Sequence, residues 1–405
     1  MTGLKDQCFG VEVEMTGITR KQAAQALADY FGTIPKAKGG VYDTWKVKDP
    51  TGKEWKLVSD ASIIGEQWTG TEYLENDIKD FRVELVTPKL TYPELPKLQE
   101  CMRRLKQIGA KVNDSCGIHV HVDAANHNRQ SLKNLISIMY SKEDLLFKAL
   151  QVNEVRAIRF CKKVREPMLR EARQLLSAEE TTDLTQLEQI WYEGNVSSSD
   201  HYNWTRYYAL NLHSVFYRGT VEWRCFNSTL NPELAAAYVN LCLAMSAQAI
   251  AQRSTIMRKT HSDNELFTFR VWLVRLGLNG DEFRETRDLL LAHLDGDRAW
   301  RFDKDSYEVN RNKKKKHRGE VTMKIRIDDT IYEGTGAEIL EQLRLAAFDP
   351  TEFPDTESYL WQLRSNFIRM TDRDCVLPEH GLEEQARVLF GELAKIGALE
   401  VLENG

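Results

Sequence analysis

Four short segments of this 405-residue chain alternate strong β-formers with ionisable side chains: FGVEVEM from Phe9, FRVELV from Phe81, GIHVHV from Gly117 and TVEWRC from Thr220. Successive residues of a strand point to opposite faces. Glu12 and Glu14 therefore share a side opposite Phe9, Val11, Val13 and Met15, and Arg82 and Glu84 a side opposite Phe81, Val83 and Leu85. In the same way His119 and His121 oppose Ile118, Val120 and Val122, while Glu222 and Arg224 oppose Val221, Trp223 and Cys225. Taken singly, each is an amphipathic edge strand, a surface histidine pair or a surface ion pair. Repeated four times, the pattern predicts one sheet face that gathers four carboxylates, two imidazoles and two guanidiniums. Like charges crowded in a cavity need relief by protonation or by a cation.

The rest of the chain supplies helices for the apolar side. TRKQAAQALADYFG has helical spacing and ends on Gly32; YPELPKLQECMRRLKQIGA reads as an amphipathic helix with Pro93 in its first turn and Gly109 at its end. SLKNLISIMYSKEDLLFKAL opens a helical stretch to about residue 190, and NPELAAAYVNLCLAMSAQAIAQR a long helix after Pro232. WKLVSDASI (55–63), YALNLHS and TVEWRCFNST read as extended. Strands come as neighbours rather than in strict alternation with helices, which predicts an α+β fold with a largely antiparallel sheet and helices on one side.

Hydrophobic content of 42% and charged content of 28% suit a soluble globular protein. No apolar run is read as reaching the roughly 20 residues of a membrane span, and MTGLKDQC lacks the regions of a signal peptide, so no membrane association and a cytoplasmic location are expected. Seven scattered cysteines without a C-x-x-C pair point to reduced thiols. The net charge of −5 is unevenly divided: residues 320–405 hold 18 acidic and 8 basic residues, a balance of −10, leaving +5 for residues 1–319. This predicts a larger unit over 1–309 that holds all four of these strands, a basic linker or loop over 310–319 containing NRNKKKKHR, and an acidic α+β accessory domain over 320–405 ending in the helix GLEEQARVLFGELAKIGALEVL. The basic run is the one place where nucleic acid could bind, though a solvated hinge is its plainer reading.

Carboxylates with one or two imidazoles and no thiolate suit Mg²⁺ or Mn²⁺. Magnesium so held keeps positions that nucleotide phosphates fill, and a nearby arginine offsets charge on a transferred phosphoryl group. The chain has no G-x-x-x-x-G-K-[ST], G-x-G-x-x-G or kinase H-R-D set. ATP, if bound, lies on a sheet.

These segments in this order, joined by DASI, VNDSCGIHVHVD, RAIRFC, YYALNLHS and TVEWRCFNSTLN, resemble the amidoligase family, a branch of the carboxylate–amine ligase superfamily that includes glutamine synthetase and gamma-glutamylcysteine ligase. The resemblance covers roughly residues 7–260. It implies a glutamine-synthetase-like curved antiparallel sheet, a half-barrel funnel with helices outside, and two or three divalent metals between ATP and a substrate carboxylate. The γ-phosphoryl group would pass to that carboxylate, and an amine would displace phosphate to give an amide or isopeptide bond. Carried over by motif, Glu12, Glu14, Glu84, His119 and Glu222 would hold metal, with Glu222, Arg224 and Asp60 catalytic. His121, Arg224 and Arg206 would bind phosphate, and Ser62, Arg159 and Asn211 substrate. Glu94 is the nearest downstream candidate for a further acidic group beside Glu84, against its reading as a helix-start residue. Asp60 with Ser62 could equally be a turn.

The expected activity is that of an ATP-dependent carbon–nitrogen ligase using Mg²⁺ or Mn²⁺ and acting on a small molecule, peptide or protein side chain. Two alternatives stay open at this point: a metal-dependent kinase or nucleotidyltransferase, and a non-catalytic ligase-like scaffold. A protein partner for the acidic tail and a homo-oligomer are further expectations.

Overall fold

The structure, a computed structural model, describes residues 2–68, 71–75, 78–175, 183–194, 199–253, 255, 258–299, 322–328, 330–347, 352–378 and 381–404. It divides into two compact units, Met1–Lys259 with Phe269–Leu294, and Thr260–Thr268 with Asp295–Gly405. The basic run 310–318 lies outside the described residues.

In the first unit the large sheet is built from β1 (Cys8–Met15), β2 (Lys36–Gly39), β3 (Thr44–Lys48), β4 (Glu54–Val58), β7 (Val83–Val86), β9 (Gly117–Asp123), β10 (Leu210–Asn211) and β11 (Thr220–Asn227), with a short pair β5 (Glu66–Trp68) and β6 (Tyr73–Glu75) beside it. The order across the large sheet is β10-β11-β9-β1-β7-β4-β3-β2, with β8 (Leu90–Thr91) also paired to β1. Every neighbouring pair is antiparallel. Of the expected apolar set, Phe9, Val11, Val13, Met15, Val83, Leu85, Ile118, Val120, Val122, Val221, Trp223 and Cys225 are buried, and Phe81 is half-buried.

Helices α1 (Arg20–Phe31), α2 (Leu95–Gln107) and α8 (Pro232–Ala251) supply the cover: α1 packs on β3 and β4, α8 on β9, and α2 against both helices. Thr19 and Gln22 form a capping box at the start of α1, and Gly32, in the left-handed region at φ 66°, ends it. By length and composition α8 could cross a membrane, contrary to the reading that no run reaches that length; 78% of its apolar window is buried within the protein, which makes it a core helix.

The helical stretch after β9 is divided into α3 (Arg129–Ala149), α4 (Glu154–Arg159), α5 (Glu166–Gln174) and α6 (Thr185–Trp191). Two segments read as extended are shorter than expected. Phe81 ends a 3-10 turn and β7 begins only at Val83, so Arg82 lies outside the strand. YALNLHS contributes only Leu210 and Asn211 before α7 (His213–Arg218), which Gly219 closes at φ 74°.

Tyr42, in the turn between the edge strand β2 and β3, meets Tyr202, in the loop that precedes β10 at the opposite edge; their hydroxyls are 2.8 Å apart.

The helix α9 (Glu265–Arg275) precedes α10 (Arg284–Leu291), which packs on α8. The second unit has a sheet ordered β13-β12-β14, from β12 (Met323–Ile327), β13 (Thr330–Gly334) and β14 (Glu400–Asn404), with α11 (Gly336–Ala346), α12 (Thr356–Thr371) and α13 (Leu382–Lys395). Ile325, Ile339, Leu340, Leu360, Leu389 and Phe390 form its core. The last helix is shorter than its sequence suggests. Gly397 turns the chain at φ 72°, and EVLEN (Glu400–Asn404) returns as a strand on β12.

Candidate active site

Strand register brings the ionisable residues together. Glu12 pairs with His119 across β1 and β9, and Glu14 with Glu84 across β1 and β7. His121 pairs with Glu222 across β9 and β11, which in turn pairs with Asn211 on β10. Gly10 stands opposite His121, where the missing side chain leaves the polar face open.

The side chains interlock. His119 Nδ1 is 3.0 Å from Glu12 Oε2 and 3.9 Å from Glu222 Oε1, and its Nε2 is 3.9 Å from Glu14 Oε1. His121 Nε2 is 3.5 Å from Glu12 and 4.0 Å from Glu222, buried and, among the described residues, without a hydrogen-bond partner. Three groups offer ligand atoms all within 4.8 Å of one another: Glu12, Glu84 and His119; Glu12, His121 and Glu222; and Glu14, Asp60 and Glu84. The donor types and the orphaned imidazole nitrogen fit hard divalent cations. Residues Glu12, Glu14, Asp60, Glu84, His119, His121 and Glu222 could hold one or more.

Electrostatics divide the carboxylates. Burial, then the neighbouring Glu12, Glu14 and Asp60, push Glu84 well above the usual carboxylate range. Burial lifts Glu14 to about 7, although Arg156 and the Gly117 N–H, which donates to its Oε2 at 2.6 Å, pull the other way. Burial also opposes ionisation of Glu12, but His121 and His119 outweigh it and hold Glu12 well below its ordinary value. Glu222 is held at about 2 against burial by Arg224 first, then His121 and His119. Burial and Arg224 depress His119 to about 4, whereas Glu222 and Glu12 raise His121 despite burial. Crowded carboxylates beside a low-pKa imidazole are what a cation-binding face requires before the cation arrives.

Arg224 is ion-paired with Glu222, and its guanidinium lies over the Tyr207 ring. Asn211, expected to touch substrate, spends its amide within the protein: Nδ2 donates to Glu222 Oε2 at 2.7 Å and Oδ1 accepts from the Ser214 N–H. It positions Glu222. Ser62 donates from N–H and Oγ to Asp60 Oδ1, the turn geometry, while Asp60 also joins Glu14 and Glu84. Glu94 is engaged elsewhere, accepting from Lys53, Lys97 and Thr91. The further acidic group beside Glu84 is Asp60.

Arg159 is exposed against the Phe160 ring. The guanidinium of RAIRFC that reaches the carboxylates is Arg156, buried, 4.0 Å from Glu14, donating to Arg224 O at 3.4 Å and to Ser115 O at 3.5 Å. Gly117 makes room for it, since a Cβ there would come within 2.1 Å of Arg156 Nη2. Arg206 is half-buried, with its guanidinium over the Tyr202 and Tyr207 rings. Arg218, unmarked by any motif, lies 3.7 Å from Glu12 and donates to His201 Nε2 at 3.0 Å. It lines a cavity of about 320 Å³ with Gly10, Glu12, Lys89, His121 and Thr220.

All of the strands that carry these residues lie within residues 5–246, which match the family model described as "Putative amidoligase enzyme". The chain belongs to the amidoligase family. The amidoligase match ends inside α8, so the second unit lies beyond it. No curated protein matches the chain in sequence. Among solved structures, it is similar to the bifunctional glutathione synthetase from Pasteurella multocida, at 11% identity and a TM-score of 0.26, covering 71% of this chain and 47% of that one. The chain thus spans about half the length of that structure, and the likeness is too loose to place either fold or function.

Proposed function

We propose that this amidoligase-family chain is an ATP-dependent, Mg²⁺- or Mn²⁺-dependent carboxylate–amine ligase working through an acyl phosphate, on a curved sheet of the glutamine-synthetase type. The observation that carries the reading is the set of three overlapping acidic and imidazole groups on one sheet face. Bound divalent cations would neutralise the nucleotide phosphates and this crowded face. Glu12, Glu14, Glu84, His119 and Glu222 are the assigned ligands. Arg224 and His121 face the phosphoryl group in transit, where fixed positive charge lowers the barrier as negative charge develops.

A substrate carboxylate oxygen attacks the γ-phosphorus and ADP leaves. The amine nitrogen then attacks the acyl carbon, phosphate departs with the C–O bonding pair, and the amine proton passes to a carboxylate of the Asp60 side. The second unit serves as an accessory docking module, and nucleic acid, if it binds, does so through the basic residues 310–318. Self-association is a further proposal.

The test is Glu222→Gln. The folded protein should persist while metal-dependent ATP consumption, measured with pooled acids and amines, falls by orders of magnitude. Phosphate release that depends on the amine separates a ligase from a kinase; undiminished turnover in Glu222→Gln would sink the assignment.

A further inference from the structure

The hydroxyls of Tyr42 and Tyr202 join residues 160 positions apart, one from each edge of the large sheet, at 2.8 Å. Each side is anchored. The Ser59 N–H donates to Tyr42 O at 2.9 Å, and the next residue, Asp43, is ion-paired with Arg20, whose guanidinium also donates to Lys79 O and Arg82 O. On the other side, the Tyr202 N–H donates to Asp200 Oδ1.

The bridge stands beside the polar face. Ser59, whose N–H holds Tyr42, directly precedes Asp60, and Asp60 belongs to the Glu14–Glu84 group. From Tyr202 a continuous path runs inward: the Arg206 guanidinium lies 5.8 Å from the Tyr202 ring centre and 5.6 Å from that of Tyr207, and Arg224, the partner of Glu222, is 5.9 Å from Tyr207 on its own account. The bridge thus links the Asp60 side of the carboxylate face to the Arg224 side, while the cavity beside Gly10 and Arg218 lies toward the Cys8 end of β1.

Tyr42 is 47% exposed and Tyr202 64%. Water competes for both hydroxyls, so their bond is worth about 1 kcal/mol and can part. We infer that the Tyr42–Tyr202 bridge is a specificity-determining gate over the carboxylate face, which admits slender substrates (free small molecules or unbranched chain ends) and turns away side chains fixed on a folded surface. Calling the admitted molecules substrates rests on the ligase reading; the gate itself does not.

The experiment therefore reads access rather than turnover. In a Glu84→Cys variant the introduced thiol stands on the face that the gate would guard. Cys8, which lines the other opening and is the one cysteine that is not buried, serves as internal reference. Labelling by a slim methanethiosulfonate (ethylammonium) and by one carrying a bulky dye is followed by mass spectrometry. With the gate intact, the bulky reagent should lag at the introduced thiol relative to Cys8 by about fivefold more than the slim one, the factor to which about 1 kcal/mol converts. Tyr42→Ala with Tyr202→Ala should remove the lag without changing the labelling of Cys8, and Tyr42→Phe alone should shorten it. Equal rates for both reagents at the introduced thiol, or a lag untouched by the double alanine change, overturns the gate. Should Glu84→Cys not fold, as its melting curve and Cys8 rate would show, Asp60→Cys takes its place under the same criteria. A protein that consumes no ATP yet shows the lag would refute the ligase reading and leave the gate standing.

Discussion

Glu14 and Glu84 stand directly opposite each other across β1 and β7, and both carboxylates are buried. Two negative charges cannot share that space cheaply, and the metal-free protein relieves the strain by favouring protonation of Glu84 first of all. Such a pair is destabilising for the fold and useful to a cation site, the trade expected where a site is built at the cost of stability.

Replacing Glu84 by Gln separates those two effects. Without added metal the variant should unfold at a higher temperature than the natural protein, by an amount corresponding to about 1 kcal/mol, because folding no longer has to hold a proton on a buried carboxyl that the unfolded chain would release. With millimolar MnCl₂ the natural protein should gain stability and the variant gain much less. Differential scanning calorimetry with and without Mn²⁺ decides: a variant less stable without metal, or equally stabilised by it, would show that Glu84 is an ordinary core residue.

Gly117 and Arg156 make a second pair. A methyl group at 117 would overlap the guanidinium, so Gly117→Ala must push Arg156 away from Glu14. The expected cost is about 1–3 kcal/mol of stability from overpacking. The diagnostic is non-additivity: in an Arg156→Ala background the same glycine change should cost far less. Urea unfolding of the four proteins in the cycle measures it, and strictly additive values would mean that the glycine answers to something else.

Asn211 tests positioning. Its Nδ2 donates to Glu222 Oε2, so Asn211→Asp sets a carboxylate against a carboxylate with almost no change in shape. ATP turnover should fall at least about tenfold, as expected when a buried charge-assisted hydrogen bond becomes a repulsion. Asn211→Gln, which keeps the donor but lengthens the arm, should fall between. Turnover in the aspartate variant equal to the natural protein would remove Asn211 from the site.

Much of this face was legible in the sequence because two signals coincide there: a period of two for the strands, and ionisable groups all on one phase of it. Glu12, Glu14, Glu84, His119, His121, Glu222 and Arg224 follow from that alone once the strands pair. What one-dimensional reading could not supply was orientation on short elements. RAIRFC offers two arginines three residues apart on a six-residue helix, and only packing over Gly117 turns Arg156 inward and leaves Arg159 outside. Glu94 carried a helix-start signal, which is the role it plays, whereas Asp60 carried a turn signal and yet reaches the carboxylates. LNLHS and GALEVL show the same limit, since a few residues of either period fit strand or helix until a left-handed glycine fixes the boundary. The meeting of Tyr42 with Tyr202 joins two loops 160 residues apart, and no local pattern encodes that.

Away from the site, His127 gives the fold a dependence on acid. Its Nδ1 faces the Ser131 hydroxyl at 3.0 Å and its Nε2 the Ser246 hydroxyl at 2.8 Å, and burial depresses the ring to about 4 from 6.5, only partly offset by Asp123. Between those two values the unfolded chain binds a proton that the folded one refuses. Stability from this group is therefore complete above pH 6.5 and is lost as pH falls toward 4, by up to about 1.4 kcal/mol per unit and about 3 kcal/mol in all. His119 acts in the same direction, while Glu14 and Glu143, raised by burial to about 7, act in the opposite one, so the raw pH curve mixes several groups. The difference between His127→Gln and the natural protein isolates it. Urea unfolding at pH 7.5, 6, 5 and 4 should show the glutamine variant less stable at the alkaline end by the loss of a buried hydrogen bond, about 1 kcal/mol, with the gap closing and then reversing as the histidine of the natural protein is forced to accept its proton. A gap that stays constant over that range would mean that the buried imidazole titrates as it does in the unfolded chain.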